Sequence, residues 1–561
     1  MSLGPELIQA IAVEIEERHV GKKIRKVDSG SCWVALHCGR DLVLLFSWDS
    51  ENYGVCSADP REVRELSVPP VFTPPIAAAL KSHLVGAEIV AASALNRDRL
   101  LRVELSRAIG AGHSQTRFLL LEASGRYSNL ILLDEEHAII ESAKHIHPSE
   151  NRYRSILPGM DYTPPPPLSG VLLDEFKGDR SQLDSLIGAG RPLIAAIKKS
   201  YTDAVLSPAL FAPTQPVFQS LSHYVTLFGA LLDGAEPIET ISPLAAARQT
   251  VAAPLVKRRS DVYAKKIGAI LERQERIADR RITECERSRG DANDAESLRD
   301  TGNLILANAW TIPPHASEAL LTEWTVEGEV ERKVSLDPLK TPVQNAERYF
   351  AKYKKKKSAL KLAEERLPAL YARRGELEEQ RVLLSLPLDS FVLASMLAEL
   401  EPEEGRAAGK GRKVESIPPH RRYEIPGEDA TIFCGLSAKG NRYVTFRLAR
   451  TDDCWLHIQG LPGSHVVLRF GAKPDGERSR LVLELAASCA VYHSRAKDSG
   501  RSRVDYTERK QVRAIGGTVS GVTYKEFSTI VTDSAPWAHF LESAEDEAAP
   551  GPQAGRTAGN S

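Results

Sequence analysis

The stretch DDCWLHIQGLPGSHVVLRF, Asp452 to Phe470, crowds an acidic pair, a Trp, a Ser and two His into one short segment. Three chemistries use those residue types. Asp453, His457 and His465 can ligate a cation, although the donors that would complete a tetrahedral shell are not evident. Ser464, His465 and Asp453 can be written as a nucleophilic triad, but no nucleophile elbow surrounds the serine. The third reading is a hairpin that binds or supports. Strand alternation puts Trp455 and His457 on one face, with Cys454, Leu456 and Ile458 on the other. Pro462 fixes its own φ, and Gly460 and Gly463 accept turn conformations that other residues resist. SHVVLRF then resumes as a strand, which sets His457 against His465 across the hairpin. A motif without its companions is weak support for catalysis, so the binding or structural hairpin is preferred. The sequence therefore predicts no catalytic residue, no metal and no cofactor.

The rest of the chain must position this segment. At 561 residues it is too long for one core and should divide into three or four domains. No apolar run reaches eighteen residues, so no membrane-spanning helix is expected. MSLGPELIQA lacks the basic-then-apolar pattern of a signal peptide, and the expected compartment is the cytoplasm. Seven cysteines without a CxxC pair read as buried reduced thiols, ahead of a disulfide framework or zinc site. A net charge of −1 leaves any nucleic-acid contact to local charge distribution.

The fold class expected is multidomain α+β. Residues 1–168 open with a helix on Leu7, Ile11, Ile15 and Val20, continue in short strands, and close at LPGMDYTPPPP. Residues 169–250 read as small and helical, including FQSLSHYVTLFGALLDG. Gly188 and Gly190 there form a turn, either a simple spacer or a hairpin whose backbone N–H groups meet phosphate. Residues 251–400 read as an antiparallel coiled coil with a small tip at about 292–340. Tyr263, Ile267, Ile270, Gln274 and Ile277 form the first seam, and Pro368 should kink or interrupt the second arm. A charged, Gly-bearing linker covers 401–419. Residues 420–540 open with strands and carry one helix, RLVLELAASCAVYHSRA, and 541–561 is a disordered tail by composition.

Several stretches together resemble one family. DDCWLHIQGLPGSHVVLRF resembles the NFACT-R signature, Asp-x-Trp-Leu-His followed by Pro-Gly-Ser-His-Val. LEASGRYSNLILLDEEHAIIESAKHI is similar to the NFACT-N segment with Gly-Arg-His-Ser-Asn, Tyr127 replacing the usual His. LPGMDYTPPP is similar to the end of that domain, SLDPLKTPVQNAERYFAKYKKKKSAL to the start of the second coiled-coil helix, and VDYTERKQV to a late NFACT-R strand. The resemblance spans residues 1 to about 540. It implies an N-terminal α/β domain similar to formamidopyrimidine-type DNA glycosylases, a helix-hairpin-helix domain, a long antiparallel coiled coil with a middle module, and a C-terminal α+β NFACT-R domain. The family comprises ribosome-associated quality-control factors of the RqcH and NEMF type, also described as fibronectin-binding proteins. It implies a non-enzymatic adaptor on the large ribosomal subunit, touching rRNA and ribosomal proteins beside a stalled peptidyl-tRNA. Such an adaptor recruits alanyl-tRNA for untemplated C-terminal tailing.

Carried over by position, Asp98 and Arg99 match the family's Asp-Arg pair, with Arg97 beside it. Arg99 can grip phosphate or a base edge with two bonds while Asp98 orients it; the plainer reading is an ion pair at a strand start. Arg126, Ser128 and Asn129 offer donors to an RNA backbone or form a polar turn. His145 and His147 read as surface residues. Arg348, Lys352, Lys354, Lys355, Lys356 and Lys357 form either a solvated helix face or an rRNA contact. Asp453, Trp455, His457, Pro462, Gly463, Ser464 and His465 form the NFACT-R signature, with Trp455 and His457 able to stack on a base or pack inside. Three departures stand out: Gly4-Pro5 where the family has Asp-Gly, Leu436 where NFACT-R has Arg, and Arg513-Ala514-Ile515 where it has Lys-Lys-Pro. The alternatives kept are a surface fibronectin-binding adhesin and a glycosylase-like DNA-binding protein.

Overall fold

The computed structural model describes residues 3–40, 42–68, 73–110, 112–207, 217–221, 224–228, 232–240, 242–290, 293–325, 328–401, 418–471, 476–516 and 518–548. Two compact units emerge, residues 1–263 with 389–394, and residues 264–388 with 395–561. The expected linker lies almost wholly outside the described residues.

The first unit opens with α1 (Pro5–Arg18), where Pro5 stands at the first turn and Leu7, Ile8, Ile11 and Ile15 are buried. Val20 falls past the helix end and is exposed. Strands β1 (Ile24–Ser29), β2 (Trp33–Cys38), β3 (Leu42–Trp48) and β4 (Tyr53–Ser57) pair in chain order as an antiparallel sheet. After α2 (Pro60–Leu66) and α3 (Pro75–Leu84) comes a second sheet in chain order. Its strands are β5 (Glu88–Leu95), β6 (Leu100–Gly110), β7 (His113–Glu122), β8 (Asn129–Leu133) and β9 (Ile139–Ser142). The inner faces of these sheets and α1 share one apolar core.

Residues 169–250 correct the helical expectation. Strands β10 (Val171–Leu172) and β11 (Leu186–Ile187) pair in parallel, and α4 (Arg191–Ser200) follows. Then β12 (Val217–Leu221), β13 (Tyr224–Phe228) and β14 (Glu236–Pro237) make a three-stranded sheet, ahead of α5 (Pro243–Ala247). Phe218, Leu221 and Val225 recur at helical steps, but tertiary contacts and the aromatic, β-branched content of this run favour a hairpin.

Helix α6 (Ala252–Gly290) leads toward the second unit, where α7 (Asn293–Ala307) precedes a hairpin of β15 (Glu318–Thr325) and β16 (Gly328–Ser335). Helix α8 (Pro342–Leu384) starts at a Thr341–Gln344 capping box and runs through Pro368 without the expected interruption. Helices α6 and α8 run antiparallel: Arg381 meets Glu275 at 3.0 Å and Arg374 meets Asp279 at 2.9 Å. Tyr263 and Ile267 of the expected seam are buried, and further along α6 so are Leu271, Glu275, Ala278 and Ile282, whereas Ile277 is exposed. The seam is thus displaced by one residue from Ile270, Gln274 and Ile277, because Glu275 enters the interface paired to arginines.

After α9 (Ser390–Leu400) the C-terminal fold begins with β17 (His420–Glu424), β18 (Ala430–Gly435), α10 (Ala438–Tyr443) and a π-turn at Val444–Leu448. It continues with β19 (Cys454–Ile458), β20 (Val466–Phe470), α11 (Gly476–Tyr492), β21 (Ser502–Glu508), β22 (Val512–Ala514), β23 (Val522–Tyr524) and β24 (Ser528–Thr532). Six of these strands form an antiparallel sheet in the order β17-β18-β20-β19-β21-β24. Helix α12 (Ala535–Ala548) buries Trp537 and takes in the first residues of the expected disordered tail. The rest of that tail lies outside the described residues.

Candidate nucleic-acid interface

The Asp98–Arg99 pair sits in the turn from β5 to β6. Asn96 and Arg97 adopt left-handed backbone there, with φ of 56° and 52°. Arg99 N–H donates to Asp98 Oδ1 at 2.7 Å, and its Nε lies 3.6 Å from the same oxygen. The Arg99 carbonyl accepts from Ala123 N at 2.8 Å, which ties the turn to the end of β7. Both side chains keep solvent-exposed surface, and Arg97 pairs with Asp174.

The pair lines a concavity of about 400 Å³ together with Leu3, Gly4, Pro5, Gly190, Arg191 and Tyr224. Helix α4 opens into it at Gly190, with no side-chain cap. Arg99 and the exposed Arg191 share the concavity's lining with Asp98 and Asp184, and the two guanidiniums are the groups there that suit an anion. Asp184, on the rim, is bonded to Lys198 at 2.6 Å.

Beneath lies Glu6, which the sequence reading did not single out. Its carboxylate accepts from Tyr224 Oη at 2.6 Å, Thr226 Oγ1 at 2.7 Å and Gly190 N at 2.9 Å. Burial pushes the Glu6 carboxyl above its ordinary range, although these donors pull the other way. Tyr224 is raised well above its own range by burial and by Glu6. A Cβ on Gly4 would stand 1.7 Å from Tyr224 Oη, and one on Gly190 would stand 1.8 Å away. Glycine at both positions thus leaves room for the Tyr224 hydroxyl, and the acid two residues after Gly4 occupies the interior.

Other expected contacts change meaning. Arg126 is exposed, with its fork on Tyr127 Oη at 2.6 Å. Ser128 and Asn129 are fully buried. Asn129 bridges backbone, donating to the Lys144 carbonyl at 2.8 Å and accepting from Lys144 N at 2.9 Å. The expectation that these two offer donors to RNA is thus corrected. His145 bonds Glu141 at 2.7 Å, and both His145 and His147 reach the surface.

On α8, Arg348, Lys352, Lys354, Lys355 and Lys357 are exposed, and Lys356 is half-buried. Lys352 and Lys357 lie over the rings of Tyr349 and Tyr353 at 5.4 and 5.2 Å. Arg348 lies 3.7 Å from Asp337.

The Trp-His hairpin forms, but inward. Trp455, Ser464 and His465 are buried, and His457 Nε2 is enclosed with no partner among the described residues. The rings of His457 and His465 are 5.4 Å apart, and Trp455 stacks on His457 at 5.8 Å. Thr445 Oγ1 accepts from Trp455 Nε1 at 3.1 Å and lies 2.7 Å from His465 Nδ1. Asp453 belongs to Arg469, bonded at 2.7 Å, and Ser464 donates to the Gly435 carbonyl at 2.6 Å, so no triad assembles. Gly463 abuts Ser494, leaving no room for a Cβ, and the Pro462 carbonyl accepts from Arg495 N at 3.1 Å. Burial pushes His457 down to about 4 and His465 well below its usual range. The gripping-surface reading is overturned for Trp455, which is interior; His457 is half-buried with its Nε2 enclosed.

Known proteins resemble this chain in sequence. The family model described as NFACT N-terminal and middle domains matches residues 7–202 and 249–406. A Bacillus subtilis protein named Rqc2 homolog RqcH is 28% identical over 573 residues, covering 94% of this chain and 97% of the relative. A Streptococcus suis protein of the same name is 28% identical over 508 residues, covering 82% and 85%. Among solved structures, the N-terminal part of the Streptococcus suis fibronectin/fibrinogen-binding protein covers 44% of this chain and 96% of its own, at TM-score 0.36 and 23% identity. The C-terminal part of that protein covers 50% and 95%, at TM-score 0.35 and 24% identity. Likenesses of that size carry no structural argument. The family model alone spans more than half of the residues, and the chain belongs to the NFACT family.

Proposed function

We propose that this chain is a ribosome-associated quality-control factor. It binds large subunits that hold a stalled peptidyl-tRNA and recruits alanyl-tRNA for untemplated C-terminal tailing of the nascent chain. Peptide-bond chemistry is left to the ribosome, and the chain acts as a cytoplasmic adaptor. We read residues 1–168 as the glycosylase-like NFACT-N domain, 251–400 as the coiled coil with its middle module, and 420–540 as NFACT-R.

One observation carries this reading. The Asp98–Arg99 pair opens, beside Arg191, on a concavity at the start of α4, within a chain alike nearly end to end to a relative named Rqc2 homolog RqcH. A guanidinium beside a helix N-terminus matches the phosphate and base edges of tRNA. The exposed lysines of α8 supply a basic surface, suited to rRNA.

Tagged full-length protein should recover large subunits from lysate at low salt. The co-purifying tRNA should be enriched in alanine isoacceptors. Recovery of neither would end the proposal, and subunits without tRNA would remove the recruiting role.

A further inference from the structure

The C-terminal sheet encloses a second set of reactive side chains. Cys434 stands on β18, Cys489 in the last turn of α11, and His493 one turn further on. Cys434 and Cys489 have no exposed surface, and His493 keeps 3%. Their donor atoms all lie within 4.8 Å of one another, with Cys489 Sγ 3.6 Å from His493 Nδ1. For zinc, bond lengths of about 2.3 Å to sulfur and about 2.0–2.1 Å to nitrogen set a tetrahedral S···N edge of about 3.6 Å. The Cys489–His493 edge matches that length, and the other two are no longer than 4.8 Å.

The surroundings agree with the geometry. Cys434 Sγ donates to the Gly435 carbonyl, at 3.7 Å, and Cys489 Sγ faces the His493 ring at 3.6 Å. Three soft donors thus converge in a dry interior. Two thiolates and an imidazole select soft, thiophilic ions over magnesium or calcium. Ser464 Oγ, which donates to the Gly435 carbonyl at 2.6 Å, offers an oxygen next to Cys434 for a further position.

We propose that Cys434, Cys489 and His493 form a structural site for a thiophilic metal ion, which fastens α11 to β18. On binding, Cys434 and Cys489 each release a proton to solvent and both sulfurs coordinate as thiolates. His493 exchanges its 3.0 Å contact with the Cys489 carbonyl for the metal, with its proton on Nε2.

The test uses the full chain, purified under reducing conditions, stripped with a chelator and titrated with zinc and, in parallel, with cobalt(II). The expected result is one equivalent bound with proton release, a thiolate-to-cobalt charge-transfer band, and a higher Tm. Cys434→Ser and His493→Gln should each lose the band, and Cys285→Ser should keep it. Absence of the band in the unsubstituted protein overturns the proposal. So does a band that survives in both ligand variants, or a Cys434–Cys489 disulfide that forms in air despite added zinc. If the ligand variants do not fold, the cobalt spectrum and proton release of the unsubstituted chain decide.

Discussion

Tyr224 donates its hydroxyl to the Glu6 carboxylate at 2.6 Å, across 218 positions of chain. That bond, with those from Thr226 and Gly190, locks the start of α1 against β13 and the start of α4. All three partners are donors. Glu6→Gln turns one acceptor into a donor facing a donor and should cost about 1–3 kcal/mol. Tyr224→Phe should cost a similar amount, about 1–3 kcal/mol, by stripping one bond from a buried carboxylate. Calorimetry reads both, and unchanged melting in both variants would refute the lock.

The buried histidines set an acid limit. His457 is lowered to about 4 and His465 well below its ordinary value, so both stay neutral when folded. Their unfolded forms take up protons near pH 6.5. The stability they secure is full above that pH and drains as pH falls toward 4, by up to about 1.4 kcal/mol per unit per histidine. Urea unfolding at pH 7, 6 and 5 should give a shallower decline for His457→Gln than for the parent. Parallel curves would rule this out.

The turn at Asp98 and Arg99 separates binding from folding. Asp98→Ala with Arg99→Ala should abolish tRNA recovery while subunit recovery and Tm hold. Arg99→Lys should also lose tRNA, because a point charge cannot replace a two-pronged fork. Asn129→Ala should do the reverse. It breaks the Lys144 bridge, costs about 1–3 kcal/mol, and spares tRNA recovery by the folded protein. A lowered Tm in the Asp98 and Arg99 variant would make that pair structural.

Reversing charge at Lys354, Lys355 and Lys357 should weaken subunit binding at every salt concentration. The slope of log affinity against log salt should flatten by about one for each phosphate no longer neutralised. An unchanged slope would assign the lysines to solvent alone.

Much of the architecture was readable because it is local. α1 announces itself by apolar spacing behind a proline, and α8 by its Thr341–Gln344 box. The hairpin of β12 and β13 was hidden, since its apolar spacing fits a helix and its anchor, Glu6, is remote in sequence. The α6 seam was misplaced by one residue because Glu275 is a carboxylate, buried only by virtue of Arg374 and Arg381. Alternation correctly put Trp455 and His457 on a shared face. It could not tell that α11 covers one side of the sheet while the Val444–Leu448 turn and the β22–β23 pair cover the other. The concavity was legible only as Asp98 and Arg99; Glu6, Tyr224 and Thr226 became visible only in three dimensions. Cys489 and His493 carry helical i, i+4 spacing, but Cys434 is far away in sequence.

The polar bridges described between the two long helices all point one way. Arg373, Arg374, Arg381 and Tyr371 of α8 supply the donors, and Gln274, Asp279, Glu275 and Glu286 of α6 receive them. Two copies of α8 laid side by side would oppose arginine to arginine, and two copies of α6 would oppose acid to acid. The arms therefore discriminate against like partners, α6 against α6 and α8 against α8, in a crowded solution of identical chains.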